Sequence, residues 1–277
     1  MKKILVLLIL CFSSVLSQDT TLLIEFSVRS HVQGILRDLD LPYGSVHLML
    51  GVPYDDDPSD DYLIIRNQYV LSYNGILNVC NWVSWEMSSE WFGKVHRYSG
   101  NFITDTELPI NFYRVKHEDY TRSGYDRGHM VRSEERTATV EDNRSTFILT
   151  NILPQHPHLN QGVWFNFEAY LERLCKLENK KLYVIAGGIF HTKERIGGVV
   201  TVPDSCFKIV VVLNKWETTL DITEDTPIIA VVMPNTGGIR RDKWEQYRTT
   251  VSRIEYSTGY KFLSAINEIV ADSLKKK

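Results

Sequence analysis

Apolar residues fall in runs of strand length over much of this chain, and in a helical rhythm at a few places. "DYLIIRNQYVLSY" and "NVCNWVSWEM" are rich in β-branched and aromatic residues, with "YNG" at 73–75 as a turn signal between them. "VHLMLG" at 46–51 is a shorter strand-like run, and "GVPYDDDPSDD" after it reads as an acidic loop. From 92 to 125, Gly, Asn, Pro and Asp interrupt any period, which predicts loop. "STFILTNILPQ" predicts a strand over 146–150 running into a proline-bounded turn.

"NQGVWFNFEAYLERLCKLENK" places Trp164, Phe167, Leu171, Leu174 and Leu177 at helical spacing, the clearest helix in the sequence. "KLYVIAGGIF", "FKIVVVLNKWETTLDI" and "PIIAVVMPN" hold apolar runs of strand length with Gly or Pro near their ends, which suggests buried sheet strands. "DKWEQYRTTVSRIEYSTG" and "FLSAINEIVADSL" predict helices near the end, with a turn at 257–259. Strands, one helix, more strands, then helices make an α+β protein, with a mixed or antiparallel central β-sheet and flanking helices in one domain over 46–270.

At 277 residues, 43% hydrophobic and 23% charged, the chain is long and apolar enough for a sizeable core. Residues 1–17, "MKKILVLLILCFSSVLS", have two lysines, a short apolar run and then small and polar residues, the order of a secretory signal peptide. The run is too short to span a bilayer, so the expectation is a secreted or periplasmic protein that is free of the membrane once the signal is removed. Residues 18–45 form a polar N-terminal segment. Losing Lys2 and Lys3 takes the net charge from −3 to −5, which excludes a protein that coats nucleic acid through its overall field but leaves room for a local basic cleft. Cys80, Cys175 and Cys206 remain after the leader, matching no zinc spacing and allowing at most one disulfide.

The chemistry concentrates in "SGYDRGHMVRSEE" at 123–135. If this stretch is extended, Arg127 and His129 share a face, so a general base and a cation address one site, as phosphodiester hydrolysis requires. Asp126 and Gly128 then face away, with Asp126 placed to partner nearby amides or basic side chains. Asn160 stands at the start of the clear helix, where it could be an N-cap, and Glu168 lies eight residues on, near the same helix face. An amide oxygen and a carboxylate are the donors that Mg²⁺, Ca²⁺ or Mn²⁺ takes. His156 and His158 are a rival, zinc-type pair with no third ligand at an obvious spacing.

"YDRGHM", "TNILPQ" and "NQGVWFNFEAYLE" together resemble the DNA/RNA non-specific endonucleases of the ββα-metal (His-Me finger) type, and the resemblance runs over roughly 46–267. It implies an embedded ββα-metal motif. His129 would be the base that activates water, and Arg127 would support charge on the phosphate. Asn160 would be the one direct protein ligand of a hydrated Mg²⁺, with Mn²⁺ as a substitute, and Glu168 would order one of its waters. That ion would stabilise the transition state and the leaving group. Asn151 matches a family asparagine near the histidine, and Arg97, in "HRYSGNFITDTELP", matches a second phosphate-binding cation.

The resemblance has two departures. Where the family often has an arginine four residues after the glutamate, this chain has Glu172, with Arg173 next; where a small residue and a proline are usual, it has Val131 and Arg132. The implied function is a sugar-non-specific endonuclease whose partners, DNA and RNA, meet a cleft built by Arg97, Arg127, Arg132 and Arg136. A binding protein without turnover, or a zinc phosphoesterase on His156 and His158, would be the alternatives. The sequence pattern fixes no oligomeric state.

Overall fold

The computed structural model describes residues 43–277. The leader expected at 1–17, and the polar segment up to residue 42, lie outside the described residues. Strands β1 (Tyr62–Ile65), β2 (Val70–Asn74) and β3 (Val79–Met87) come first. A ribbon of β4 (Asp126–His129) and β5 (Ile152–Gln155) follows, with helix α1 (Val140–Ser145) between its strands and helix α2 (Phe165–Lys176) after it. Then come β6 (Lys180–Ile189), the short pair β7 (Arg195–Ile196) and β8 (Val200–Thr201), and the strands β9 (Ser205–Asn214), β10 (Ile228–Pro234) and β11 (Arg248–Thr249). Helices α3 (Val251–Thr258) and α4 (Glu268–Leu274) complete the chain. The main sheet has seven antiparallel strands in the order β1-β2-β3-β6-β9-β10-β11, and the fold is α+β.

The central strands read as largely apolar runs because both faces of the sheet are covered. Along β9, Val210 and Val212 join the core that holds Phe167, Leu171 and Leu174 of α2, while Ile209, Val211 and Leu213 join the core that holds Ile254 of α3 and Leu274 of α4. Lys208 occupies the same register as Val210, so β9 carries one buried cation toward the α2 side.

Four expectations shift, each for a local reason. The run 46–51 is mostly a 3-10 turn, Tyr43–Leu48, stapled to the sheet by His47, whose Nδ1 accepts from the Glu86 amide while Nε2 meets the Asn67 carbonyl. The strand expected at 146–150 instead begins at Ile152, because Thr146 closes α1 onto Asn143 and 149–151 is a tight turn. Regular helix begins at Phe165 and not at Asn160: residues 159–164 form a wide π-type turn broken at Gly162 (φ −123°, ψ −110°). Near the end, Trp244–Tyr247 is a 3-10 turn leading into β11, and α3 starts only after Thr250 caps the Arg253 amide. The turn at 257–259 is present, with Gly259 at φ 83°.

Arg136 belongs to this framework and not to a basic cleft, which corrects the expectation for it. It is fully buried, donates to the carbonyls of Gln68, Glu86 and Glu135, and stacks on the Trp91 ring at 4.1 Å. Cys80, Cys175 and Cys206 are all buried free thiols. Among the described residues no helix is long and apolar enough to cross a membrane.

Candidate active site

The ribbon β4–β5 pairs Asp126 with Gln155, Arg127 with Pro154, Gly128 with Leu153 and His129 with Ile152. Gly128 is required by its neighbour: a Cβ there would fall on the Gln155 side chain, which lies across the strand and reaches the Cys206 thiol. With no side chain at 128, the ribbon settles onto the main sheet and presents Arg127 and His129 to one cleft. Asn151 fixes the way out of the strand. Its side chain accepts from the Val131 amide at 3.0 Å and donates to the carbonyls of Val131 and Thr146, while its own carbonyl accepts from Met130. Asn151 is fully buried outside the cleft lining, so it acts on His129 only through the backbone.

The His129 ring is buried between Phe102, 5.3 Å away centroid to centroid, and Phe147, which meets it edge-on at 4.9 Å. Burial, reinforced by the nearby Arg97, pushes its pKa down from 6.5 to about 3, so the imidazole is neutral at physiological pH and free to accept a proton. Its Nε2 has no hydrogen-bond partner in the protein. Arg127 is held over the Phe102 and Tyr120 rings and anchored by the His117 carbonyl at 2.6 Å. Arg97 approaches from the opposite loop, lies over Phe147, and donates to Ser133 and Glu134.

Asn160 meets the strand through Asp126. One carboxylate oxygen, Oδ2, accepts from Asn160 Nδ2 at 2.9 Å and from Gln161 Nε2 at 2.7 Å. This bond orients the Asn160 amide and leaves its Oδ1 as the acceptor not committed to Asp126. The break at Gly162 makes the arrangement possible: a Cβ there would lie 2.7 Å from both the Arg240 Cα and its carbonyl oxygen, so the loop carrying Arg240 packs directly against the turn. Asn160 is therefore held by the wide turn and Asp126, not by helix capping.

Glu168 projects from the first turn of α2 and is buried beneath the cleft. Lys208 lies 3.3 Å below it, boxed by the Trp164 and Trp85 rings, and Arg132 stands 3.9 Å from the other carboxylate oxygen. Burial raises the Glu168 pKa, and both cations oppose that rise. A second buried carboxylate, Glu135, accepts from the Trp85 indole, and burial pushes its pKa up to about 7.

Together these elements enclose a cleft of about 360 Å³ lined by Arg97, Arg127, His129, Arg132, Glu134, Asn160, Gln161, Phe165 and Glu168. Of the residues singled out in the sequence, His129, Arg127, Arg97, Asn160 and Glu168 share this space, Asn151 lies behind it, and Arg173 lies outside it beside Glu178. His156 and His158 serve the loop backbone: their Nδ1 atoms accept from the amides of His158 and Gly238. The sequence reading passed over Glu134, Gln161, Phe165 and Lys208. Lys208 had a visible signal, as the lone charge in "FKIVVVL"; Glu134, flanked by charges, had none.

The residues fit a hydrated divalent ion. Asn160 offers one hard amide oxygen and Glu168 a carboxylate near it in the same cleft, the donors suited to Mg²⁺ or Mn²⁺, which keep most of their waters. The soft or imidazole-rich set that zinc prefers is not gathered here: among the described residues no group of three His, Cys, Asp or Glu could hold a metal.

Protonation of the buried histidines opposes folding. His47 and His129 both titrate near 3 in the folded protein and near 6.5 when released, so unfolding takes up two protons as the pH drops below 6.5. Glu135 works the other way between about 7 and 4.5, holding a proton in the folded state that unfolding releases. Burial raises Glu86 and Glu168 as well, so they oppose the histidines in the same sense as Glu135. The stability these histidines contribute is complete above about pH 6.5 and declines progressively toward pH 3. Between pH 6.5 and 5 the urea midpoint of the metal-free protein should therefore lose more than that of His129→Ala, which carries one buried histidine fewer; an equal change in both would show that His129 is not held neutral.

Comparison with known proteins places the same residues in a wider frame. A family model described as DNA/RNA non-specific endonuclease matches residues 53–269. A protein named nuclease from Nostoc sp. is 42% identical over 241 residues, covering 85% of this chain and 87% of its own. The mitochondrial endonuclease G of Homo sapiens is 28% identical over 214 residues, covering 73% of this chain and 69% of its own. Among solved structures, the crystal structure of the EndoG/EndoGI complex matches with a TM-score of 0.69 at 26% identity, covering 82% of this chain and 94% of that one.

Proposed function

The chain belongs to the DNA/RNA non-specific endonuclease family, and from that premise we propose that it is a Mg²⁺-dependent hydrolase of phosphodiester bonds in DNA and RNA, with His129 as general base and Asn160 as holder of the metal. One observation carries the reading: Asp126, in the same strand as His129, clamps the Asn160 amide nitrogen and so directs its oxygen donor and the neutral imidazole to one cleft. His129 takes a proton from the attacking water, which its depressed pKa permits over the whole neutral range. Arg127, fixed against two aromatic rings, faces the charge that grows on the phosphate oxygens, and Arg97 adds a second cation. Asn160 would hold the ion directly and Glu168 would order one of its waters. When bound, the ion supplies Lewis-acid neutralisation at the phosphate and the leaving oxygen, with Mn²⁺ able to replace Mg²⁺. Lys208 holds Glu168 in place from below and opposes the rise that burial imposes on its pKa.

The cleft is furnished with guanidinium and amide groups suited to phosphates and sugars, which is the basis for cleavage with little sequence preference. Supercoiled plasmid and a structured RNA should both be degraded in Mg²⁺ and spared when EDTA is in excess. Cleavage that continues in EDTA would remove the metal from the mechanism; intact substrates in Mg²⁺ and Mn²⁺ would leave only a binding protein.

A further inference from the structure

Two arginines in the cleft are bridged by a carboxylate in a way that resembles a bound phosphate. Glu134 accepts from Arg97 Nη1 at 3.1 Å through Oε1 and forms an ion pair with Arg132, its Oε2 lying 3.0 Å from Nε. Both arginines have anchors besides Glu134. Arg97 is steadied by the Phe147 ring and Ser133, while Arg132 lies 4.9 Å over Phe165 and is tied to Glu172 of α2 at 3.0 Å. The Arg132 side chain is only 13% exposed, against 36% for Glu134. Arg132 is thus the fixed part of the bridge, whereas Arg97, 49% exposed, and Glu134 are its solvent-facing parts. Both arginines hold Glu134 ionised: burial alone would raise its pKa, yet it is lowered by Arg132 and Arg97.

Glu134, Glu168 and Glu172 all lie around Arg132, and each also meets a second cation: Arg97 for Glu134, Lys208 for Glu168 and Lys176 for Glu172. A polyanion entering the cleft meets its strongest local opposition at Glu134, the most exposed of the three. Its two oxygens already mark where two oxygens of a tetrahedral anion would be bound, since guanidinium N–H groups donate to carboxylate and phosphate oxygens alike.

We propose that Arg97 and Arg132 form a phosphate subsite beside the reacting centre, occupied in the free protein by Glu134, and that a phosphate of the nucleic acid backbone displaces this carboxylate on binding. The proposal rests on the endonuclease reading and deepens it. Arg132 becomes a substrate-binding residue, and Glu134 becomes a built-in competitor that weakens binding of short or poorly charged substrates.

A double-mutant cycle tests the displacement. Binding of a short fluorescein-labelled single-stranded DNA is followed by anisotropy in EDTA for the full-length protein, Glu134→Gln, Arg132→Gln and the double variant. Glu134→Gln should bind about fivefold or more tightly, and in the Arg132→Gln background this gain should shrink below about twofold, as for charges in direct contact. An equal gain in both backgrounds would mean that Glu134 acts only through the general field, and weaker binding by Glu134→Gln would mean that it merely positions the arginines. Either result overturns the subsite. If Arg132→Gln fails to fold, Arg132→Lys closes the same cycle, because it keeps the charge and loses the stacked fork; the gain should then fall by about half or more, and an unchanged gain overturns the proposal. Plasmid cleavage by the unmodified protein in Mg²⁺ is scored alongside. Its absence would remove the endonuclease reading itself, whereas cleavage without coupling removes the subsite alone.

Discussion

His129→Ala should cleave DNA ~10³–10⁴ times more slowly than the unmodified protein at saturating Mg²⁺, the upper part of the range for a lost general base. Such a loss corresponds to roughly 4–5.5 kcal/mol of transition-state stabilisation. The size follows from how the ring is kept. Phe102 and Phe147 hold it desolvated and neutral, and no carboxylate hydrogen-bonds its buried Nε2. Water in its place would be a far poorer base. Arg127, Arg97 and Asn160 do not depend on the imidazole for their positions, since their anchors are the His117 carbonyl, Ser133 with Glu134, and Asp126. Binding of nucleic acid and metal should therefore change little, and the loss should appear in the rate of the chemical step.

Asn160→Ala should produce the second large effect, a fall of ~10³ in cleavage rate, in keeping with the several kcal/mol a Lewis acid contributes to phosphoryl chemistry. Calorimetric titration with Mn²⁺ supplies a readout independent of turnover: the variant should lose detectable binding, while His129→Ala keeps it. Asp126→Ala separates position from ligation. It removes the clamp on the amide but leaves the oxygen donor, so metal affinity should drop by about 10–100-fold, as for other outer-sphere partners, and high Mn²⁺ should recover most of the rate. If Asn160→Ala binds Mn²⁺ as tightly as the unmodified protein, the ion sits elsewhere.

What could be read in the sequence was whatever short-range geometry determines. The same-face placement of Arg127 and His129 depended only on β4 being extended, and it is. The apolar runs of β6, β9 and β10 announced buried strands because both sheet faces are covered, so no polar alternation dilutes them. The Asn160 to Glu168 pairing was right in proximity but not in its cause. Helical phase does not connect them, since Gly162 breaks the chain between, and proximity comes from the turn packing against the Arg240 loop.

Contacts set by tertiary structure were the ones that stayed hidden. Arg136 looks like any surface cation in "RSEER", yet it is consumed by three backbone carbonyls contributed by segments up to 68 residues away. Arg132 could not be placed from its neighbours, because its partners Glu168 and Glu172 arrive from α2. The two departures from the family pattern, an arginine after the strand and a glutamate on the helix, turn out to face one another as an ion pair at 3.0 Å. A charge pairing of this kind has no periodicity to reveal it.

The central claim, that His129 supplies the base for water attack in this cleft, is tested most directly by chemical rescue. Its removal should leave an imidazole-sized space between Phe102 and Phe147. The measurement is single-turnover cleavage by His129→Ala at saturating Mg²⁺, with increasing imidazole and with the pH varied at each concentration. The expected result is a rate near zero without imidazole that climbs in proportion to its neutral form, with no such climb in Asn160→Ala. A His129→Ala protein that cleaves within about tenfold of the unmodified rate without imidazole would contradict the claim, since that deficit is smaller than general-base catalysis leaves when its base is removed.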